Sequence, residues 1–322
     1  MALQRTDSSH LLFHFLIQNN QSLFHFLVPY QRFQNQQINM AYEDQYQQSK
    51  YDTLLFDVDD TLYPLSTGFS NECAKNIQEY MVQKLGIQQN KVFQLNQELY
   101  KNYGTSMAGL KAIGYDFDND EYHSFVHGRL PYGKLKPDHV LRNLLLSMPL
   151  RKVIFSNADN AHVSKTLRKL GLEDCFERII CFETLNPNDK TSCRFDDKND
   201  VQFGSENFDN PCQSDIGSIL PKTPILCKPF EDAFEQAFKL ANINPQTTIF
   251  FDDSIRNIQK GKQLGLTTVL VGKSNRISGA DYVLESIHNI KEALPELWEE
   301  NDKKSETMKY TGNVAFGTSV TA

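Results

Sequence analysis

Five short apolar runs punctuate the chain from residue 53 onward: TLLFD, KVIFS, RIICF, TIFFD and TTVLV. Each is rich in Val, Ile, Phe or Leu and lacks the polar alternation of a half-exposed strand. Runs of this kind suit strands buried on both faces of a parallel sheet. Between them the apolar spacing becomes helical. AHVSKTLRKLGL is one such segment, with Gly171 as its stop, and PFEDAFEQAFKLA is another, with Pro229 in its first turn. Strands alternating with helices predict an α/β fold, a doubly wound and mostly parallel Rossmann-like sheet with right-handed crossovers. In such sheets ligands sit beyond the carboxyl ends of the strands.

Two segments interrupt the alternation. Residues 65–148 contain NECAKNIQEYMVQKLG and KVFQLNQELYKNYG, both with helical spacing, followed by GYDFDNDEYHSFVHGRLPYGKLKPD, which mixes turns and short helix. They predict an inserted helical domain, leaving a core of residues 51–64 and 149–298. Residues 186–222 carry seven acids against four bases and few large apolar side chains, so a mobile acidic loop is expected there. The tail, 299–322, is expected to be disordered.

The first fifty residues differ from the rest. LLFHFLIQNN and QSLFHFLVPY repeat the string FHFL, and a glutamine-rich stretch follows. A secretory signal is disfavoured because no small-residue cleavage site follows the apolar part. An organellar transit peptide would suit the scarcity of acids and the presence of Arg5 and Arg32, but serine and arginine are few. The preferred reading of 1–50 is a disordered or extraneous extension, with Met40 an alternative start. Organellar targeting by residues 1–39 stays open.

Composition narrows the function. With 322 residues, 40% hydrophobic and 23% charged, the chain has ample material for a core. A net charge of -7 and a pI near 5.6 argue against direct nucleic-acid binding, which needs a basic face. They leave room for a small phosphorylated ligand, since a bound metal supplies positive charge locally. Six cysteines, at 73, 175, 181, 193, 212 and 227, form no CxxC pair, which favours free thiols in a reducing compartment over disulfides or zinc. No uncharged apolar run approaches the roughly 20 residues of a membrane span. The location expected is cytoplasmic, with the nucleus as a second compartment.

The chemistry concentrates where apolar runs end. In YDTLLFDVDDTLYPL, three carboxylates, Asp57, Asp59 and Asp60, follow a buried strand within four positions. One such pattern alone reads as turn formers or helix caps. TIFFDDS, however, repeats it, ending in Asp252 and Asp253. Two strands that deliver acids to one edge predict a site for a hard cation, most naturally magnesium with oxygen ligands. Ser156, ending KVIFSN, and Lys228, just before PFEDAFEQAF, supply a hydroxyl and an ammonium suited to phosphate oxygens.

DVDDT, FSN, KP and FFDDS, in this order over residues 53–284, resemble the four motifs of the haloacid dehalogenase (HAD) superfamily. The resemblance implies a HAD-like core with a helical C1-type cap inserted after the first motif. It implies that Asp57 attacks phosphorus and forms an aspartyl-phosphate, while Asp59 protonates the leaving oxygen and then activates water. Magnesium would be held by Asp57, the main-chain carbonyl of Asp59 and Asp252, with Asp253 acting through water. Ser156, Asn157 and Lys228 would hold the phosphoryl group, Lys228 also screening Asp57, and Thr61 would fix the turn that aims Asp59. Dehalogenating relatives lack the second aspartate, so Asp59 indicates phosphate chemistry.

Within the cap, YGTSMAGLKAIGYDFD and LKPD resemble the pyrimidine 5′-nucleotidase branch described as suppressors of a transcription-elongation-factor disruption. That implies substrates such as UMP or CMP, with Tyr103, Met107 and His123 or His127 as residues that could meet a base. Competing readings are a phosphatase of nicotinamide mononucleotide, a sugar phosphate or a vitamin phosphate, a phosphomutase, or a HAD-fold binding protein without turnover. Asp60 reads as structural, Arg256 and Asn257 as positioning the fourth motif, and His162 as lying near the site without a chemical role.

Overall fold

Six parallel strands organise the described part of the chain, residues 50–187 and 220–298 of a computed structural model. They are β1 (Thr53–Phe56), β2 (Arg151–Phe155), β3 (Arg178–Ile180), β4 (Thr248–Asp252), β5 (Thr267–Val271) and β6 (Tyr282–Leu284). Their order across the sheet is β3-β2-β1-β4-β5-β6, which is the doubly wound arrangement predicted from the alternation. In this order the connections reverse direction between β1 and β4, where a crevice opens at the carboxyl edge. The register aligns Phe56 with Ile154 and with Phe251, so the residues that follow β1 and β2 and end β4 arrive together.

The apolar runs are continuous because both faces are covered. Leu54 and Phe56 of β1 face one cluster with Ile154, Ile249 and Phe251, while Leu55 faces another with Val153, Phe155 and Phe250. Of the eight helices labelled here, four make up the insertion: α1 (Phe69–Gln83), α2 (Gln89–Tyr103), α3 (Ser106–Ala112) and α4 (Asn119–Val126). The others are α5 (His139–Ser147), α6 (Asn160–Leu170), α7 (Glu231–Ala241) and α8 (Ile255–Gln263). The first face is covered by Leu141 and Leu145 of α5 and by Val163 and Leu167 of α6; the second is covered by α7 and α8. On the second face the ring of Phe234 meets Phe155 and Phe250 edge-on at 5.2 and 5.5 Å, an arrangement that aromatic quadrupoles favour.

Several boundaries differ from the sequence expectation. The insertion was expected to run through residue 148, but α5 buries its stripe against the sheet, not within the cap. The run RIICF leaves the sheet after Ile180, and a helical turn, Phe182–Leu185, begins there. Phe182 packs with cap residues Tyr80, Leu99 and Val126 instead of extending the strand. Pro229 lies ahead of its helix, whose N-cap is Phe230. Gly171 does end α6, with φ at 68°, a conformation that costs glycine little.

The extension 1–50 lies outside the described residues except for Lys50, as do the tail 299–322 and nearly all of the acidic segment 186–222. Cys73, Cys175, Cys181 and Cys227 are free thiols; Cys193 and Cys212 lie outside the described residues. Among the described residues no helix is long and apolar enough to cross a membrane.

One carboxylate ties the far edge of the sheet together. Asp281 accepts from the amide and the hydroxyl of Thr268 at 3.0 and 2.9 Å and from Lys262 Nζ at 2.7 Å. Burial works to raise its pKa, but these donors hold it below the usual carboxylate value. A carboxylate held down in the folded state stabilises above its unfolded pKa and loses that contribution as pH falls through the folded one. Asp281 is exposed, so water screens these bonds, and Asp281→Asn should cost less than about 1 kcal/mol at pH 7, with the gap to the parent closing below roughly pH 4. Urea unfolding across pH checks this.

Candidate active site

β1 stops at Phe56 and delivers Asp57 to the carboxyl edge, where its amide donates to the carbonyl of Phe251 at 2.9 Å. β4 delivers Asp252 alongside, fully buried. Lys228 lies between them, 1% exposed. Its Nζ donates to Asp57 Oδ1 at 2.8 Å, Asp252 Oδ2 at 2.7 Å and the carbonyl of Phe155 at 2.6 Å. Three donors meet three acceptors from three strand ends, so the ammonium is saturated. Burial works against that charge, but the two carboxylates hold its pKa above the usual lysine value. The sequence expectation that Lys228 screens Asp57 matches this geometry. A direct hold on phosphate would have to share these protons.

The Lys228 backbone is itself fixed. Asn157 accepts from the Lys228 amide at 2.8 Å and donates to the Lys228 carbonyl at 3.0 Å. Asn157, expected to bind phosphate, uses its oxygen and one amide proton to position Lys228, and it also lines the cavity above the floor. Ser156 is buried, and its Oγ accepts from the Ala158 amide at 3.1 Å, which leaves its hydroxyl proton for a ligand. Thr61 was expected to aim Asp59. Its hydroxyl instead donates to Asp57 Oδ2 at 3.1 Å and orients the first carboxylate. Asn257 donates to both oxygens of Asp252 at 3.0 and 3.1 Å, and Asp60, with φ at 55°, accepts from Ser70. Both fit their expected structural roles.

Asp57, Asp252 and Asp253 each offer a carboxylate oxygen within 4.8 Å of one another. Burial, only partly offset by Lys228 and reinforced by Asp252 and Asp59, raises Asp57 to about 7. Burial followed by Asp252 and Asp57 raises Asp253 to about 8. Even with Lys228 present the acids are short of positive charge. An all-oxygen donor set with excess negative charge is the chemistry of a hard divalent cation, so these residues fit the metal expected from the sequence.

Asp59 lies apart from this group. Its Oδ1 accepts from Tyr63 and, at 2.7 Å, from His162 Nε2. Burial pushes its pKa up, but the charge and hydrogen bond of His162, with that of Tyr63, bring it down to about 2. His162 Nδ1 lies 2.8 Å from the hydroxyl of Tyr132, which donates its own proton to the carbonyl of His127 at 3.1 Å. Which of these atoms donates depends on the His162 tautomer, and an imidazolium there would carry its charge against Asp59. Burial opposes that charge, yet Asp59 raises the pKa of His162 above its usual value. The expectation that His162 lies near the site is met, and its direct bond to Asp59 is a contact that the sequence reading did not give it. Its position was the available signal: it is the third residue of a helix opening at the sheet's carboxyl edge, capped by Asp159. Tyr63, four residues beyond Asp59, is a second contact that the sequence reading missed.

The cap roofs this floor. A cavity of about 490 Å³ is lined below by Asp57, Asp59, Ser156, Lys228 and Asp253 and above by Phe69, Met107, Tyr122, His123, Val126 and His127. Met107 and both histidines therefore reach it as expected, whereas Tyr103 is buried in the cap's own cluster. Burial keeps His123 neutral, its pKa pushed down to about 4. Gly104, with φ at 78°, presses the cap onto the floor: a Cβ there would meet the Lys228 carbonyl at 2.4 Å. Arg256 was expected to steady the fourth motif. It reaches instead to the carbonyls ending α2, Tyr100 and Lys101, at 2.9 and 2.8 Å, with its guanidinium over the Tyr100 ring.

The sheet order and the residues gathered at the sheet's carboxyl edge match the arrangement that the HAD resemblance implies. Among curated proteins the chain is similar to Phosphate metabolism protein 8 of Saccharomyces cerevisiae, with 25% identity over 224 residues. The match covers 67% of this chain, which spans 60% of the length of that relative. No family model matches. A HAD phosphatase from Thermococcus onnurineus superposes with a TM-score of 0.46 at 15% identity, covering 75% of this chain and 96% of that one. CbbY from Rhodobacter sphaeroides, in complex with phosphate, gives 0.47 at 15% identity, covering 77% and 99%. At these scores neither likeness carries weight beside the strand order and the residues themselves.

Lys228→Met leaves Asp57 and Asp252 buried without their shared cation. In metal-free buffer it should cost about 3–5 kcal/mol of folding stability, and magnesium should restore part of that loss. Urea unfolding with and without magnesium measures both; a variant as stable as the parent would contradict the clamp.

Proposed function

We propose that the chain is a magnesium-dependent phosphomonoesterase that works through an aspartyl-phosphate on small phosphorylated metabolites, and specifically on pyrimidine nucleoside 5′-monophosphates such as UMP and CMP. The observation that carries the phosphatase reading is the pairing of two distinct carboxylates beneath one capped cavity. Asp57 is clamped by Lys228 and Thr61, and Asp59 is held separately by His162 and Tyr63. Support for the nucleotide comes from the cap resemblance and from a cavity large enough for a nucleoside, with Met107 and Tyr122 on its walls.

The division of labour follows from the geometry. An oxygen of Asp57 attacks phosphorus, forming a P–O bond as the ester P–O bond breaks. Asp59 is ionised at rest, so the proton for the departing oxygen comes from His162 Nε2, 2.7 Å away, and passes through the Asp59 carboxylate. In the second half, Asp59 takes a proton from water as that water attacks phosphorus and releases Asp57. The Ser156 hydroxyl is free to donate to the phosphoryl oxygens, where charge spreads in the transition state. Asp57, Asp252 and Asp253, with the Asp59 carbonyl, would hold magnesium, whose charge keeps Asp57 ionised and offsets that of the phosphoryl group. The cap walls exclude bulk water from this floor.

A phosphate-release screen over nucleotides, sugar phosphates and cofactor phosphates tests the reading. UMP and CMP should be hydrolysed only with magnesium, and chelation should abolish turnover. Asp57→Asn should remove activity with its circular dichroism unchanged; full turnover by that variant would sink the nucleophile. His162→Asn should lower kcat by roughly 10- to 100-fold with little change in KM, because it acts on the proton and not on substrate contacts. Preference for a sugar or vitamin phosphate would reassign the substrate and leave the chemistry standing.

A further inference from the structure

Beside the acidic floor is a second group of side chains whose polar atoms the phosphatase reading does not use. His123 on α4 is 6% exposed, and neither of its ring nitrogens has a hydrogen-bond partner. A buried imidazole left unpaired on both sides is costly and calls for a ligand. His127 is one turn further on, so both rings project from the same helix face, 5.4 Å apart between centroids and nearly parallel. Facing them is Asp159, which caps α6 on the core side.

The distances suit a shared ion. Asp159 Oδ1 is 3.7 Å from His123 Nδ1 and 2.5 Å from His127 Nδ1. The first is too long for a hydrogen bond. It is near the ~3.4 Å that separates two ligands on one tetrahedral zinc ion with bonds of about 2.0–2.1 Å. The second is a hydrogen bond that must open by about 1 Å to admit an ion. One ligand atom from each residue lies within 4.8 Å of the others. Asp159 has an oxygen to give, because its other oxygen caps the amide of His162 at 3.2 Å. The three residues also line a second cavity of about 280 Å³, which supplies an entry path and an open coordination position.

We propose that His123, His127 and Asp159 form a second metal site, which takes a zinc-class divalent ion and ties the cap helix α4 to the core helix α6. Two imidazoles and one carboxylate are borderline donors that select zinc or cobalt over magnesium, in contrast to the all-oxygen set on the floor. The inference stands without the phosphatase reading, and its test contains no turnover assay.

The experiment is titration of the full-length, chelator-stripped chain with zinc followed by calorimetry, and with cobalt followed by visible absorption. Both use an Asp57→Asn background so that the acidic floor binds weakly. One equivalent of zinc, a visible cobalt band and a zinc-dependent rise in Tm are expected. His123→Asn and His127→Asn should each weaken zinc by more than roughly 100-fold, the most that loss of an outer partner causes. His10, His14 and His25 remain in every variant, so this loss locates the ion. Affinity unchanged in the variants would overturn the site. Should a variant misfold, the unsubstituted histidine set still decides, because absence of both the cobalt band and stoichiometric zinc binding overturns the proposal.

Discussion

A single buried ammonium holds the centre of this protein together. Lys228 is buried, and its three protons go to the ends of β1, β2 and β4. Those strand ends come from residues far apart in the chain, and the two carboxylates among them would repel one another at the spacing the sheet register imposes. The sheet's apolar faces bring the strands together, and the cation makes the resulting edge tolerable. A buried pair of this kind adds little net stability over an apolar substitute. Its retention makes sense as a constraint on geometry: it fixes the oxygen positions of Asp57 and Asp252 relative to each other.

Much of the surrounding structure serves that lysine. Asn157 brackets its backbone with two hydrogen bonds, and Gly104 lets the cap approach its carbonyl more closely than any side chain would permit. Arg256, from the helix after β4, ends α2 of the cap. Cap and floor are thus joined through the residues that order the charged centre. Displacement of the cap would disturb the site through its own supports as well as by admitting water. The contacts are polar and local.

How far the sequence is legible depends on how local the signal is. An apolar run ending in acids is a pattern of a few residues, so β1, β4, Asp57 and Asp252 can be read directly, as can Ser156 after β2. Lys228 is readable only because a helix pattern follows it. What failed was non-local. His162 reaches Asp59 across 103 positions, and Asn157 reaches Lys228 across 71; no spacing in the chain encodes either contact. The amphipathic stripe of α5 would look the same whether it faced the cap or the sheet, since periodicity reports a buried face without naming its partner. RIICF reads as one strand because Phe182 is apolar in either setting, and only the cap cluster shows why it turns away.

The two groups of titratable side chains differ in donor chemistry, and one helix end connects them. α6 opens with Asp159, whose carboxylate caps the amide of His162, and His162 in turn grips Asp59. Anything that draws Asp159 toward the cap histidines therefore pulls on the same first turn that positions His162. Helix caps are stiff because one carboxylate satisfies an otherwise orphaned amide within a fixed backbone turn. A displacement at the cap interface would pass through this turn to Asp59, with no contact to the floor of acids. Oxygen-only and imidazole-bearing donor sets prefer hard and borderline ions respectively, so the two proposed sites would not compete for one ion.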